Sequence, residues 1–231
     1  RGGPSGETLV GTLPDAPVPF LEHGLCFLSD VVHGQKTGFF LDQRENRQRV
    51  RLLSKDRDVL NVFGYTGGFS VYAAAGGAKA VTTVDIAQSA IDATTQHFSL
   101  NDLDGCPHEA IARDAFEFLD QAALDDRRWD LVILDPPSFA PNRKSAKNAG
   151  GAYERLVAAG ARVTAPGGIL IAASCSSHVS VEAFAQHVEN GIGSARRRAV
   201  VIGVHQQPGD HPTPLPCREF RYLKLIYMRV S

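Results

Sequence analysis

Apolar runs of five or six residues alternate with longer amphipathic segments through most of this chain. Runs 59–63, 80–85, 129–134 and 168–173 predict buried strands, with a shorter strand around Ile111 that ends near Asp114. Segments 69–75, 87–100, 151–163 and 181–188 predict helices that follow the longer strands. This alternation predicts a parallel sheet covered by helices on both faces, with ligands bound at the carboxyl ends of the strands.

The two ends of the chain depart from this alternation. Residues 1–19 carry many glycines and prolines, which predicts a linker or remnant, and residues 20–41 predict a small β-hairpin region. Asp42 can cap a helix over 43–53 that opens the main domain, 42–231. Runs 199–204 and 221–230 are separated by a proline-rich loop and no helix, which predicts an antiparallel pair at one sheet edge.

Composition and charge narrow the class of protein. The chain has 231 residues, of which 43% are hydrophobic, enough for one sizeable α/β domain. Its net charge of -1 means that a nucleic-acid partner would have to be met by a local basic patch. The 4 cysteines are scattered without a C-x-x-C pair, which indicates a reducing cytosol and neither a disulfide framework nor a metal site. No run approaches the roughly 18 apolar residues of a membrane span and no signal peptide opens the chain, so we expect a soluble cytoplasmic protein.

A glycine turn between the first buried strand and its helix is the candidate ligand cradle. Residues 61–70 read Asn-Val-Phe-Gly-Tyr-Thr-Gly-Gly-Phe-Ser. Glycines let a backbone approach a ligand closely, and the helix that follows offers unpaired N–H groups. Dinucleotides, nucleosides and plain tight packing all use such turns, so this motif alone leaves the ligand open.

Polar side chains stand where the following strands are predicted to end. Asp85 can accept hydrogen bonds from both hydroxyls of a ribose, or it can cap the helix after it. Asp114 can accept a hydrogen bond from an adenine amino group, or it can cap the next helix. In Asp135-Pro136-Pro137-Ser138-Phe139 the prolines stiffen the exit of a strand, so that Asp135 projects in a fixed direction and Phe139 can stack on a base. The alternative is a rigid loop with a packed phenylalanine.

Cys175 follows the last of these parallel strands, in the segment Ser174-Cys175-Ser176. A free cysteine is usually a small buried hydrophobe. At the same sheet edge as Asp135 and near a helix start, however, a thiol can ionise more readily and act as a nucleophile. The other cysteines lack this setting, and His178 is a weaker candidate to tune the thiol.

Motifs spread over the chain carry a family resemblance. They are, in order, Gly34-Gln35-Lys36-Thr37-Gly38, the turn 61–70, Val84-Asp85, Asp135-Pro136-Pro137-Ser138-Phe139, Ser174-Cys175-Ser176 and Tyr222-Leu223-Lys224. Over roughly residues 20–230 the chain resembles the class I S-adenosylmethionine-dependent methyltransferases of the ribosomal RNA large-subunit 5-methylcytosine type. The resemblance implies a Rossmann-like sheet of seven strands with an antiparallel last strand, and S-adenosylmethionine as the cofactor.

Carried over position by position, the resemblance implies a cofactor pocket. The methionine part of the cofactor would be surrounded by Phe63, Tyr65, Thr66 and Gly67. Asp85 would bind the ribose, and Ile86 and Asp114 would contact the adenine. The full set expected around the cofactor is Lys36, Thr37, Gln43, Phe63, Tyr65, Thr66, Gly67, Asp85, Ile86, Asp114, Asp135 and Pro136.

The resemblance also implies a nucleophile, because Cys175 matches the family's reactive cysteine. Carbon 5 of cytosine is a poor nucleophile, so a thiolate first adds to carbon 6; carbon 5 then takes the methyl group, a base removes its proton and the thiol leaves. Asp135 could hold a proton at ring nitrogen 3. The base must be flipped or single-stranded, and Phe139 could stack on it. The candidate basic RNA contacts, for which a solvated surface is the alternative interpretation, are Arg143, Lys144, Lys147, Arg218, Arg221 and Lys224.

Departures from the family leave rival functions open. Members of this type usually begin with a small RNA-binding domain, whereas a glycine- and proline-rich remnant precedes Phe20, and Pro216-Cys217-Arg218 differs from the family's Pro-Glu-Gly.

We favour an RNA methyltransferase that forms 5-methylcytosine in ribosomal RNA. An amino-group methyltransferase acting on nucleic acid or protein would not need Cys175, and a nicotinamide-dependent oxidoreductase would share only the glycine turn and Asp85. A non-catalytic RNA-binding relative would keep the fold without the cofactor, and the oligomeric state stays open.

Overall fold

A computed structural model describes residues 10–32, 34, 38–139, 143–217 and 220–231, without the side chains of 143–148. The strands are β1 (Val18–Glu22), β2 (Leu25–Ser29), β3 (Asp58–Val62), β4 (Ala80–Asp85), β5 (His108–Ala112), β6 (Trp129–Leu134), β7 (Thr164–Ser174), β8 (Ala199–Gln206) and β9 (Lys224–Val230). The helices are α1 (Arg44–Leu53), α2 (Gly68–Ala75), α3 (Gln88–Leu100), α4 (Ala115–Leu124), α5 (Arg143–Val163) and α6 (Val181–Ser194), and a short 3-10 helix, Leu41–Gln43, precedes α1.

The main sheet has 7 strands in the order β5-β4-β3-β6-β7-β9-β8. The strands from β5 to β7 are parallel, whereas β9 is antiparallel to both β7 and β8. The predicted Rossmann-like sheet and its antiparallel last strand are therefore confirmed. The strand order reverses between β3 and β6, and sheets of this kind bind their ligands in the crevice outside the carboxyl ends at that point.

Apolar layers bury both faces of the sheet. Along β3, Val59 packs with α1, α2 and α3 on one face, and Leu60 packs with α4, α5 and α6 on the other. This alternation follows from the two-residue period of side chains along a strand. Burial on both faces explains why the central strands read as continuous apolar runs in the sequence. Among the helices of the described residues, none combines the length and apolar character that a membrane span requires.

The hairpin β1–β2 packs onto α1, α2 and α3. The guanidinium of Arg47 in α1 donates to both carboxylate oxygens of Glu22, each at 2.7 Å, and this ion pair is buried. Phe27 is fully buried in the same apolar layer as Phe39 and Tyr72. The hairpin therefore shares a core with the main sheet, and the predicted boundaries at residues 19 and 41 stay a prediction.

Local predictions fail where the decisive contacts are distant in sequence. Asp42 does not cap α1: it lies in the 3-10 helix, and its Oδ2 accepts a hydrogen bond from the Tyr222 hydroxyl at 2.7 Å. Gln43 occupies the N-cap position and makes no side-chain cap bond. For α4 no bounds were predicted, although Asp114 was considered as the cap of a following helix, and α5 begins at Arg143, well before the predicted start at residue 151.

Candidate active site

Candidate residues follow each of the five adjacent parallel strands. Phe63 follows β3, Asp85 ends β4, Asp114 stands two residues beyond β5, Asp135 follows β6 and Cys175 follows β7. Because parallel strands end at the same edge of a sheet, the fold gathers these residues along one edge. Asp135 is tied directly to the end of β3, since its N–H lies 3.4 Å from the carbonyl oxygen of Val62.

The turn after β3 holds two non-glycine residues in the left-handed backbone region. Phe63 has a φ of 61° and Tyr65 a φ of 47°. Such conformations cost on the order of 1 kcal/mol or more and persist where the surroundings enforce them. Here the end of β4 enforces the turn conformation by two hydrogen bonds. The Tyr65 N–H donates to Asp85 Oδ2 at 2.8 Å, and the Gly64 N–H donates to the Val84 carbonyl at 3.0 Å.

The glycines of this turn are required by packing inside the protein. A Cβ on Gly64 would lie 2.5 Å from Thr83 Cγ2 in β4. A Cβ on Gly67, whose φ is 77°, would lie 2.3 Å from Thr94 Cγ2 in α3. Of the uses that the sequence left open for these glycines, close packing accounts for both positions.

The same turn offers polar groups to a ligand. Thr66 Oγ1 is buried and has no hydrogen-bond partner in the described part of the chain. Helix α2 begins at Gly68 with no side-chain cap, so its first N–H groups are available to an acceptor. A ligand with carboxylate and hydroxyl groups, such as an amino-acid-bearing nucleoside, fits this supply of donors.

His97 of α3 connects the turn after β3 to the hairpin β1–β2 by two hydrogen bonds. Its Nε2 accepts from the Leu28 N–H at 2.9 Å, so Nδ1 carries the proton and donates to the Thr66 carbonyl at 2.7 Å. Burial lowers the pKa of His97, which keeps the ring neutral in this tautomer. The hairpin β1–β2 is thereby linked to the turn through one side chain.

The two carboxylates at the ends of β4 and β5 already hold backbone groups. Asp85 uses one oxygen for Tyr65 and the other for the Ala87 N–H, at 3.0 Å. Asp114 caps α4, because its Oδ1 accepts from the N–H groups of Phe116 and Glu117 at 2.9 and 3.1 Å. Each carboxylate oxygen can accept more than one hydrogen bond, so these bonds leave room for a ligand. The roles of Asp85 at a ribose and of Asp114 at an adenine stay predictions.

Asp135 is oriented by α1 and the segment before it. The Gln43 side-chain amide donates to Asp135 Oδ2 at 2.9 Å, and its own oxygen accepts from Asn46 Nδ2 at 2.7 Å. Gln43 and Asn46 are both buried, so this chain of hydrogen bonds is shielded from water. Gln43, predicted beside the cofactor, thus contacts the carboxylate at the crevice.

Phe139 is the last residue of the loop 135–139, and Cys175 contacts the same loop at Pro136. The Phe139 ring packs on Tyr153 with centroids 5.0 Å apart, which matches the packed-phenylalanine interpretation and leaves base stacking as a prediction. The Tyr153 hydroxyl bonds Ser174 Oγ at 2.9 Å, directly before Cys175. The half-buried thiol of Cys175 lies 4.0 Å from the carbonyl oxygen of Pro136, so it faces the loop that carries Asp135.

Comparison with known proteins assigns a family to this fold and crevice. A family model described as S-adenosylmethionine-dependent methyltransferase matches residues 5–195. The chain belongs to this methyltransferase family.

Relatives and solved structures agree with the assignment. A ribosomal RNA large subunit methyltransferase of Deinococcus radiodurans is 42% identical over 227 residues, which cover 98% of this chain and 55% of that protein. A ribosomal RNA large subunit methyltransferase I of Aeromonas salmonicida is 37% identical over 219 residues, covering 95% of this chain and 55% of the relative. A methyltransferase structure complexed with SAH is 31% identical with a TM-score of 0.86, and the match covers 96% of this chain and 58% of that chain. The chain thus spans about half the length of the curated relatives it matches.

Lys224 is not a surface residue. We expected it among the basic groups that contact RNA, and that interpretation is wrong: Lys224 is 1% exposed, and its ammonium donates to backbone carbonyls. The partners are the carbonyl oxygens of Ser176, Val179 and Tyr222. A lysine in a strand gives no local sign of burial, and its partners are 45 and 48 residues away along the chain for two of the three bonds.

Further residues near the crevice were not singled out by sequence patterns. Asn46 orients Gln43, His97 holds Thr66, and Tyr153 supports Ser174. The contacts of His97 and Tyr153 join elements that are distant in the chain, which a local pattern does not reveal. Asn46 lies three residues from Gln43, and the distant contact there is the bond from Gln43 to Asp135. Among the residues that the structure describes, no group of three or more His, Cys, Asp or Glu side chains is arranged to hold a metal ion.

Several predicted contacts lie outside the described residues or on the surface of the protein. Ile86 is 74% exposed beside Asp85, His178 is exposed, and Arg221 is exposed near the end of the long loop before β9. The residues or side chains that lie outside the described part are Lys36, Thr37, Arg143, Lys144, Lys147 and Arg218.

Proposed function

We propose that this methyltransferase uses S-adenosylmethionine to methylate carbon 5 of a cytosine in ribosomal RNA, with Cys175 as the nucleophile. The observation that carries the proposal is that Cys175 follows β7, the neighbour of β6, and faces the Pro136 carbonyl beside Asp135. Relatives named ribosomal RNA large subunit methyltransferases support ribosomal RNA as the substrate. An enzyme acting on ribosomal RNA would work in the cytoplasm.

The turn after β3 and the ends of β4 and β5 would hold the cofactor. The buried Thr66 hydroxyl and the uncapped start of α2 would take its carboxylate, while Asp85 would accept from the ribose hydroxyls. Ile86 and Asp114 would flank the adenine, and Asp135 with Pro136 would line the end nearest the methyl group. When bound, S-adenosylmethionine supplies the methyl group that an activated carbon 5 accepts.

Cys175 and Asp135 would activate the cytosine ring. The thiolate forms a sulfur–carbon bond at carbon 6, the carbon 5–carbon 6 π pair becomes a carbon 4–carbon 5 double bond, and the carbon 4–nitrogen 3 π pair moves onto nitrogen 3. Asp135 holds a proton at nitrogen 3, which stabilises the negative charge that would otherwise build there. After methylation, a base takes the carbon 5 proton, the ring double bond re-forms and the thiolate leaves.

The experiment is nucleoside mass spectrometry of ribosomal RNA incubated with the protein and isotopically labelled S-adenosylmethionine. RNA from cells lacking the gene supplies the unmodified target. We expect labelled 5-methylcytosine with the wild-type protein and at least a thousandfold lower rate with Cys175→Ala, since the nucleophile is removed. The control Cys106→Ala changes a cysteine at the opposite end of β5 and should leave the rate within about twofold.

Other outcomes would favour the rival functions. If the labelled methyl group is found on an exocyclic amino group, and Cys175→Ala transfers it as fast as the wild type, the protein would be an amino-group methyltransferase. Calorimetry that detects binding of NAD and not of S-adenosylmethionine would favour an oxidoreductase. Unchanged 5-methylcytosine formation by Cys175→Ala would reject the nucleophile.

A further inference from the structure

A buried ammonium group lies directly behind the segment that carries Cys175. Lys224 begins β9 and pairs with Ser174 of β7, the residue before the cysteine. Its Nζ donates to the carbonyl oxygens of Ser176 at 2.5 Å, Val179 at 2.6 Å and Tyr222 at 3.0 Å. These bonds use all three ammonium protons, so the group is held in one position and points into the loop after Cys175.

Among the residues that the structure describes, no carboxylate compensates this buried charge. In the described ranges of the chain, Lys224 has no ion-pair partner, although it is 1% exposed. Removing an ammonium from water costs several kcal/mol unless an anion or strong dipoles replace its hydration. Burial lowers the pKa of Lys224 to about 8, and interaction with Cys175 opposes that lowering. The cysteine is therefore the ionisable group whose negative charge would match the lysine.

The other ionisable groups around Cys175 do not supply a positive charge. Tyr153 of α5 and Tyr222 before β9 interact electrostatically with the thiol, and burial raises the pKa of both, so both are neutral phenols. Asp135 lies on the neighbouring loop and would oppose a thiolate by repulsion. Among these neighbours in the described residues, Lys224 is the cation.

We propose that Lys224 is a positioning residue that keeps Cys175 in the thiolate form, by fixing a buried positive charge behind the loop 175–179. The inference deepens the proposed function and rests on it, because it concerns the same nucleophile. The thiol proton is released to solvent, and the remaining negative charge is balanced by the ammonium. A lysine that only pinned the loop would give the same hydrogen bonds without any effect on the ionisation of the cysteine.

Alkylation of Cys175 measures its ionisation without RNA or methyl transfer. The full chain is treated with iodoacetamide between pH 5 and 10, and the rate at each cysteine is obtained by peptide mass spectrometry. We expect Lys224→Met to move the midpoint of the Cys175 profile upward by at least about one pH unit, a tenfold loss of rate below both midpoints. Lys224→Arg keeps the charge and should stay within about 0.3 units of the wild type. Profiles of Cys26 and Cys106 report on general unfolding and should not move.

A folded Lys224→Met protein whose Cys175 profile coincides with the wild type would overturn the proposal. If that variant does not fold, the reciprocal titration decides: the side-chain NMR signal of Lys224 should titrate at lower pH in Cys175→Ser than in the wild type. An unchanged lysine titration would equally overturn it. A shifted alkylation profile in a protein that forms no 5-methylcytosine would reject the proposed function alone, whereas 5-methylcytosine formation with coincident profiles would reject the role of Lys224 alone.

Discussion

At the scale of single residues, the geometry of the crevice depends on side chains that are held by hydrogen bonds to one another and to the backbone. Gln43 is held by Asn46 and in turn holds Asp135, and His97 holds the Thr66 carbonyl in one tautomer. The left-handed residues Phe63 and Tyr65 would relax if the bonds to the end of β4 were lost. The turn is therefore preorganised before any ligand reaches it.

Gly67 provides the sharpest test of this preorganisation. Gly67→Ala places a Cβ 2.3 Å from Thr94 Cγ2 at a φ of 77°, so it adds both a clash and backbone strain. We expect a loss of about 2–4 kcal/mol in the free energy of unfolding, measured by urea denaturation. Gly105→Ala is the control, because nothing lies within 4 Å of the added Cβ, and it should change stability by less than about 0.5 kcal/mol. Equal stability of the two variants would show that the turn adapts freely.

At the scale of elements, one buried ion pair fastens the hairpin to α1. Glu22 and Arg47 are 4% and 2% exposed, so Glu22→Gln would leave a buried guanidinium without its anion. We expect a loss of about 3–5 kcal/mol in unfolding free energy, together with faster hydrogen exchange in β1 and β2.

The matched control for the ion pair lies on the surface. Lys79 pairs with Asp58 at 3.2 Å and its side chain is 68% exposed, so Lys79→Ala should cost less than about 1 kcal/mol. A Glu22→Gln protein as stable as Lys79→Ala would mean that the pair does not hold the hairpin in place.

Elements with continuous apolar runs could be predicted from the sequence, and the others could not. Strands β4 and β6 coincide with their predicted bounds, because central parallel strands are buried on both faces. The first turns of α5 contain basic residues, asparagine and two glycines without an apolar period, so the prediction began eight residues too late. The candidate residues at strand ends were foreseeable, since parallel topology alone brings them together. Lys224 was misinterpreted because its burial depends on the antiparallel return of β9 beside β7.

At the scale of the whole molecule, stability should depend on pH through the buried His97 and the half-buried His108. His108 stacks on Phe98 with ring centroids 3.9 Å apart, and burial lowers its pKa to about 4. Burial lowers the pKa of His97 as well. In the unfolded chain both rings bind protons below about pH 6.5. The unfolded state therefore holds more protons between pH 6.5 and 4, and stability falls as the pH is lowered through that window.

The contribution of His108 can be measured by comparing urea denaturation at pH 7 and pH 5. We expect the wild type to lose about 1–2 kcal/mol more than His108→Gln over this interval, because the glutamine has no proton to bind. His178→Gln, at an exposed position, should follow the wild type. Identical pH dependence in the wild type and His108→Gln would show that His108 does not contribute.

The whole fold brings the glycine turn after β3, the carboxylate after β6 and the thiol after β7 to one edge of the sheet. Trapping of the covalent adduct tests the resulting claim about Cys175 most directly. In RNA containing 5-fluorocytosine, fluorine replaces the proton that must leave carbon 5, so the methylated ring should stay bonded to the enzyme. With S-adenosylmethionine present, the account predicts a denaturation-resistant protein–RNA complex that peptide mass spectrometry maps to Cys175 and that Cys175→Ser does not form. A complex that maps to another residue, or 5-methylcytosine formed by Cys175→Ser, would contradict it.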